Sequence, residues 1–185
     1  MDKVRIGRIG VRSATGGTSW TMNYLPQIEV AAVCDKSEDR LQMAQEDFDD
    51  NPRAFTDYHD MLQMGDLDAI LVATPNYLHR PMVVDSLEAG KDVYCEKPMA
   101  TTLEDCDAMI EAARRNNRVL QVGLEFRYSQ VFKRLRELIR EGAIGEPKMM
   151  WFHELRGDWY DPRESGLPNW RLDQEKSGGS LVEKC

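Results

Sequence analysis

Short apolar runs alternate with segments of helical period along the first two thirds of the chain. Val4 to Ile9, Ile28 to Cys34, Ala54-Phe55, Ala69 to Ala73, Asp92 to Cys95 and Val119 to Val122 read as strands. Most of these runs are almost continuously apolar, which suits parallel strands covered on both faces rather than strands with one wet face. Helices fit between them. Ser37 is placed to cap a helix with Leu41, Ala44 and Phe48 on one side. Pro81 suits a first helical turn, and Gly90 stops that helix. Thr101 and Glu104 have capping-box spacing, with Leu103, Cys106, Ile110 and Ala113 on one stripe behind them. Strand-helix alternation of this kind predicts a doubly wound α/β sheet with right-handed crossovers.

The pattern changes after Gly123. Ser129 to Arg140 predicts a helix with Phe132, Leu135 and Ile139 inward, and Lys148 to Leu155 predicts a long strand. The stretch Gly157 to Asp173 is rich in Trp, Pro, Asp and Arg, and Gly179 to Cys185 reads as the first turns of another helix. One strand and two helices do not bury a core of their own. The expected division is therefore a dinucleotide-binding domain over 1–123 and the incomplete start of a second α+β domain over 124–185.

Composition narrows the classes of function. The chain has 185 residues and a formal net charge of −8, which argues against nucleic acid as the main partner. No apolar run reaches membrane-spanning length and no signal peptide is visible, so no membrane partner is expected. Cys34, Cys95, Cys106 and Cys185 lack metal-ligand spacing and read as reduced thiols of a cytoplasmic protein, with no metal site.

The candidate chemistry lies where strands end. The first strand runs into Gly10, where glycines would let backbone amides approach a pyrophosphate. The G-x-G-x-x-G pattern is broken here: Arg12 and Thr15 stand at its second and third glycines. Arg12 could pair with phosphate or block it. Asp35 closes the second strand, about where an acid binds the adenine ribose hydroxyls and repels a 2′-phosphate. That favours NAD, while Lys36 next door leaves NADP open; a plain polar helix cap is the alternative. Thr74, Asn76 and His79 follow the fourth strand and offer hydrogen-bonding groups at a ligand-binding edge, or simply a loop shaped by Pro75. Cys95-Glu96-Lys97-Pro98 closes the fifth. A lysine beside a glutamate at a strand end has the chemistry of a proton-transfer group, and the proline allows a cis peptide.

Ala73-Thr74-Pro75-Asn76, Glu96-Lys97-Pro98, Gln121-Val122-Gly123 and Gly142-Ala143-Ile144-Gly145, in this order, resemble the N-terminal part of the Gfo/Idh/MocA family of oxidoreductases. That family includes glucose-fructose oxidoreductase and inositol dehydrogenase. The resemblance implies a Rossmann-type domain and an NAD(P)-dependent hydride transfer to or from a sugar, cyclitol or related polyol. It implies Lys97 as the group that contacts substrate and cofactor and assists proton transfer, with Lys97-Pro98 cis. It implies cofactor contacts from Gly10, Arg12, Asp35, Thr74, Asn76, His79, Glu96 and Pro98. Arg127, with Tyr128, matches a position near the nicotinamide and substrate. Trp170 and Arg171 match a segment that reaches back to the active site. For these four, domain packing is the equal alternative. Full-length relatives would be homo-oligomers. Two departures stand out: the altered glycine loop, and Glu183 where the family has an aspartate ahead of a catalytic histidine that would fall beyond Cys185. These departures keep a second expectation open, a dinucleotide-binding or interaction module without catalysis.

Overall fold

The computed structural model describes residues 3–11, 22–151, 153 and 170–184. It divides into two compact units, Met1–Gly123 with Trp170–Cys185, and Leu124–Asn169.

The first unit is built on a parallel six-stranded sheet of order β3-β2-β1-β4-β5-β6. The strands are β1 (Val4–Ile9), β2 (Ile28–Cys34), β3 (Arg53–Phe55), β4 (Ala69–Val72), β5 (Asp92–Cys95) and β6 (Leu120–Val122). They lie where the apolar runs predicted them, with ends shifted by at most one residue. The order reverses between β1 and β4, which opens a crevice at the carboxyl edge of the sheet. In the β1–β2 pairing Ile6 lies opposite Val30 and Gly7 opposite Ala32, so Ala31 is an extra residue in the ladder. This shift turns both Val30 and Val33 to one face of the sheet. There they pack with Ile6, Leu41, Ala44, Phe48 and Leu71. The other face carries Ile9, Cys34, Ile70, Val72, Val93 and Cys95.

Helix α1 (Glu38–Asp47) covers the first face through Leu41 and Ala44, and Ser37 caps it by accepting the Arg40 amide. Helices α2 (Tyr58–Leu62), α3 (His79–Glu88) and α4 (Leu103–Arg115) cover the second. Helix α4 corrects the sequence in two details. Its cap is Thr102, whose hydroxyl accepts the Asp105 amide at 3.1 Å, and not Thr101. Of its expected stripe Ala113 is buried and Cys106 packs against the core, but Leu103 is 79% exposed, and Met109 and Ala112 complete the buried side. Two adjacent threonines offer the same capping chemistry. The sheet decides which side of the helix is inward. Full burial of a side chain such as Met109 contributes about 1.5–3 kcal/mol, enough to outweigh the local stripe.

Helices α6 (Gln174–Ser177) and α7 (Gly179–Lys184) follow a 3-10 turn over Trp170–Leu172. The sequence groups this segment with the second domain; in the structure it packs in the first unit, against the loop after β4.

The second unit, described by itself, contains a 3-10 turn (Glu125–Arg127) and helix α5 (Gln130–Arg140). The Phe126 and Phe132 rings lie 5.1 Å apart. The expected inward stripe of α5 is not buried: Phe132 is 38% and Leu135 46% exposed. Among the described residues of this unit no second layer covers it. Lys148–Trp151 does not form the expected strand, and Met149, Met150 and Trp151 are exposed. A strand needs a ladder partner, and the described residues of this unit supply none.

Candidate dinucleotide site

Four strand ends meet at the carboxyl edge of the sheet. Gly10 leaves β1 with φ +89°, and a Cβ built on it would lie 2.5 Å from the Ala73 carbonyl oxygen. Its amide donates to the Cys34 carbonyl at 2.8 Å. Gly10 is thus pressed between the ends of β2 and β4, which only a residue without a side chain tolerates. The first glycine of the predicted turn is structurally required. Arg12 and Thr15 lie outside the described residues.

Asp35 sits at the end of β2, with its side chain 11% exposed. One carboxylate oxygen accepts the Val11 amide at 3.0 Å and the other accepts the Ser37 amide at 3.0 Å. Arg40 lies 3.7 Å from it. A carboxylate has about four acceptor directions, so these amides leave capacity for two ribose hydroxyls.

The loop after β4 is held from two sides. His79 is fully buried. Its Nδ1 faces the Pro98 carbonyl at 2.8 Å and its Nε2 faces the Thr74 carbonyl at 2.9 Å. Burial lowers its pKa, against the opposing pull of the Pro98, Thr74 and Met99 carbonyls. His79 therefore ties the β4 loop to the β5 loop and presents no ring nitrogen to a ligand. Asn76 is also buried, and its side-chain amide donates to the Ser177 carbonyl at 2.8 Å. This bond docks α6 onto the loop. Thr74 stays half-buried at the crevice, its hydroxyl directed to Met82 Sδ at 3.5 Å.

Glu96, Lys97 and Pro98 are all half-buried, and the Lys97-Pro98 peptide is cis. The Glu96 amide donates to the Val72 carbonyl at 2.9 Å, which fixes this turn beside the β4 loop. Gly123, after β6, makes room here. A Cβ at Gly123 would stand 2.5 Å from the Tyr94 hydroxyl and 3.2 Å from Glu96 Oε2. The glycine of the Gln-Val-Gly motif is thus explained by the approach of two polar side chains.

Arg8 was hidden from sequence reasoning. It lies inside β1, 4% exposed, and its Nε donates to the Gly10 carbonyl at 3.0 Å. Burial pushes its guanidinium down to about 10, while Glu96 and Asp35 pull it upward. The available signal was one charged residue between Gly7 and Ile9 in an otherwise interior stretch of strand.

The other candidates divide between the two units. Arg127 and Tyr128 are exposed in the second unit, with Lys133 over the Tyr128 ring at 5.9 Å. Trp170 and Arg171 belong to the first unit, the guanidinium stacked 4.4 Å from the indole. The side chain of Glu183 lies outside the described residues. Burial pushes the Cys34 thiol up to about 12 and also raises Cys95 and Cys106, so none of these three is a nucleophilic thiolate near neutral pH. Among the described residues no group of acidic, histidine and cysteine side chains is placed to hold a metal. Among them, too, no helix is long and apolar enough to cross a membrane.

A glycine pressed into the β1 turn, an acid at the end of β2 and a lysine after β5, along the carboxyl edge of a parallel sheet whose order switches between β1 and β4, are the features of a dinucleotide-binding domain of the dehydrogenase type. The model of the oxidoreductase family with an NAD-binding Rossmann fold, Gfo/Idh/MocA, matches residues 4–124, and that of its C-terminal alpha/beta domain matches residues 136–185. The chain belongs to this family. Inositol 2-dehydrogenase of Salmonella typhimurium is 36% identical over 129 residues, 69% of this chain and 38% of that protein. Myo-inositol 2-dehydrogenase of Thermotoga maritima is 31% identical over 180 residues, 97% of this chain and 51% of that one. Among solved structures, the WlbA dehydrogenase of Bordetella pertussis, in complex with NADH and UDP-GlcNAcA, is similar with a TM-score of 0.72 at 29% identity. That match covers 78% of this chain and 41% of the other. The chain spans about half or less of the length of the curated relatives it matches.

Proposed function

We propose that the chain carries the cofactor half of an NAD(P)-dependent dehydrogenase acting on a sugar, cyclitol or related polyol, with NAD preferred. What supports this is Gly10 and Asp35 at the ends of β1 and β2, tied together through the Gly10 and Val11 amides, with Lys97 in the turn after β5 that Glu96 fastens to the end of β4. The relatives' names, inositol dehydrogenases and a dehydrogenase bound to a nucleotide sugar, support the substrate class.

The residues fit a dinucleotide. Gly10 lets the β1 turn close against the end of β4, where a Cβ would meet the Ala73 carbonyl, and Asp35 retains acceptors for the two adenine-ribose hydroxyls. A carboxylate there repels a 2′-phosphate, which favours NAD over NADP. When bound, the nicotinamide supplies the hydride chemistry. Lys97, half-buried at the end of β5, is the group to hold or move the substrate hydroxyl proton at Nζ. Glu96 and Pro98 set the position of that lysine. Thr74 lines the crevice. Asn76 and His79 brace its walls from within.

One observation favours a second reading, a dinucleotide-binding module without turnover. His79 commits both ring nitrogens to backbone carbonyls and so is no proton partner for Lys97.

Calorimetric titration with NADH and, separately, NADPH tests the proposal. Micromolar NADH binding, much weaker NADPH binding and loss of the NADH binding in a folded Asp35→Ala variant are expected. Absence of binding by the folded chain would refute the cofactor site. A preference for NADPH would move the selectivity from Asp35 to its basic neighbours. Oxidation of myo-inositol or an aldose with NAD, abolished in Lys97→Ala, would separate the dehydrogenase from the module.

A further inference from the structure

We propose that Arg8 is a positioning residue for the cofactor: its buried guanidinium is the counter-charge that lets a strand edge bearing two carboxylates, Asp35 and Glu96, take a dianionic pyrophosphate. The proposal rests on the dinucleotide-binding reading above.

A charge inside a sheet is costly unless it is paired and hydrogen-bonded, so its presence there calls for a physical partner set. The ladder register supplies one. Arg8 lies opposite Val33 on β2 and opposite Leu71 on β4. Asp35 is two residues beyond Val33. Leu71 lies opposite Tyr94 on β5, and Glu96 is two residues beyond Tyr94. Side chains alternate along strands, so Arg8, Asp35 and Glu96 share one face. Neighbouring strands are about 4.8 Å apart, which places Asp35 one strand to one side of Arg8 and Glu96 two strands to the other. The guanidinium also donates to the carbonyl of Gly10, the residue at the turn where a dinucleotide's pyrophosphate crosses such a sheet.

Other charges at this edge are differently placed. Arg40 reaches Asp35 from α1 with its side chain 31% exposed, and Lys97 flanks Glu96. Arg8 is the buried cation between the two carboxylates, where the low dielectric keeps its field strong. Without it, Asp35 and Glu96 would repel the incoming phosphates across an unscreened interior.

Arg8→Met, Arg8→Lys and Glu96→Gln test this in the full chain, with NADH affinity by calorimetry and adenosine affinity by NMR titration. Adenosine presents the ribose hydroxyls to Asp35 and carries no phosphate. Arg8→Met is expected to weaken NADH binding by about tenfold or more, from the lost Coulomb attraction, and to leave adenosine binding within about twofold. Arg8→Lys is expected to restore most of the NADH affinity. Equal loss for NADH and adenosine would show a merely structural role and overturn the proposal, as would unchanged NADH binding in Arg8→Met. If Arg8→Met does not fold, recovery of folding in Arg8→Met/Glu96→Gln supports the charge pairing, and failure of that rescue refutes it. Wild-type chain that binds no NADH sinks the cofactor reading itself, an outcome distinct from NADH binding that ignores Arg8.

Discussion

Gly10→Ala is the sharpest probe of how the crevice is built. The substitution adds one methyl group at φ +89°, 2.5 Å from the Ala73 carbonyl oxygen, 2.8 Å from its carbon and 3.0 Å from Thr74 Cγ2. Two costs add. An L-residue in the left-handed region costs roughly 1–2 kcal/mol. The methyl also lies about 1 Å inside ordinary contact with main chain at the end of β4, which cannot rotate away, and overpacking of this kind costs about 1–3 kcal/mol. The expected loss is therefore about 2–5 kcal/mol, or on the order of ten degrees in melting temperature for a unit of this size. Urea denaturation followed by circular dichroism measures it. Gly65→Ala is the control: Gly65 has nothing within 4 Å of a built Cβ and no positive φ. It should be neutral or stabilising by up to about 1 kcal/mol. The folded fraction of Gly10→Ala should also lose NADH binding, because relief of the clash moves the β1 turn away from β4. Stability of Gly10→Ala within about 0.5 kcal/mol of wild type, or an equal loss in Gly65→Ala, would refute the reasoning.

Two further predictions concern the same edge. Gly123→Ala brings a methyl 2.5 Å from the Tyr94 hydroxyl, the end of a side chain that can swing, so the expected loss is about 1–3 kcal/mol. Tyr94→Phe in the same chain should recover most of it, and a double variant no more stable than Gly123→Ala would rule out that contact as the cause. His79 is held below its ordinary value of 6.5 chiefly by burial, so the unfolded chain binds the additional proton more readily. The stability this contributes is complete above about 6.5 and is lost as pH falls through the lower folded value. Urea midpoints between about pH 7 and pH 5 should fall more steeply for wild type than for His79→Gln, and parallel slopes would contradict the burial argument.

Much of the fold was open to sequence reasoning because its signals are local. Strands covered on both faces must be apolar at nearly every position, so β1, β2, β4 and β5 stand out without knowledge of their partners. Ser37 caps α1 as its spacing predicts, since a cap involves only the next few amides. Motif order along the chain puts Gly10, Asp35 and Lys97 at strand ends, and strand ends in a doubly wound parallel sheet lie along one edge whatever the details of packing.

What depended on distant neighbours was decided by tertiary structure alone. Helix α4 offers two threonine caps and several stripes, and the sheet beneath it selects Thr102, Met109 and Ala112. The apolar residues of Lys148–Trp151 specify a strand only if a ladder partner is at hand. Asn76 and His79 carry side chains suited to a ligand, yet both are turned inward: the Asn76 amide donates to the Ser177 carbonyl, and the His79 ring lies between the Thr74 and Pro98 carbonyls, where a neutral imidazole donates to one of the two. Arg8 looks like an interruption in a strand until the register sets it between Asp35 and Glu96. Hydrophobic period and turn chemistry act over a few residues and are written in the sequence. Pairing of buried charges and donors acts across strands far apart in the chain, and exists only once the sheet has formed.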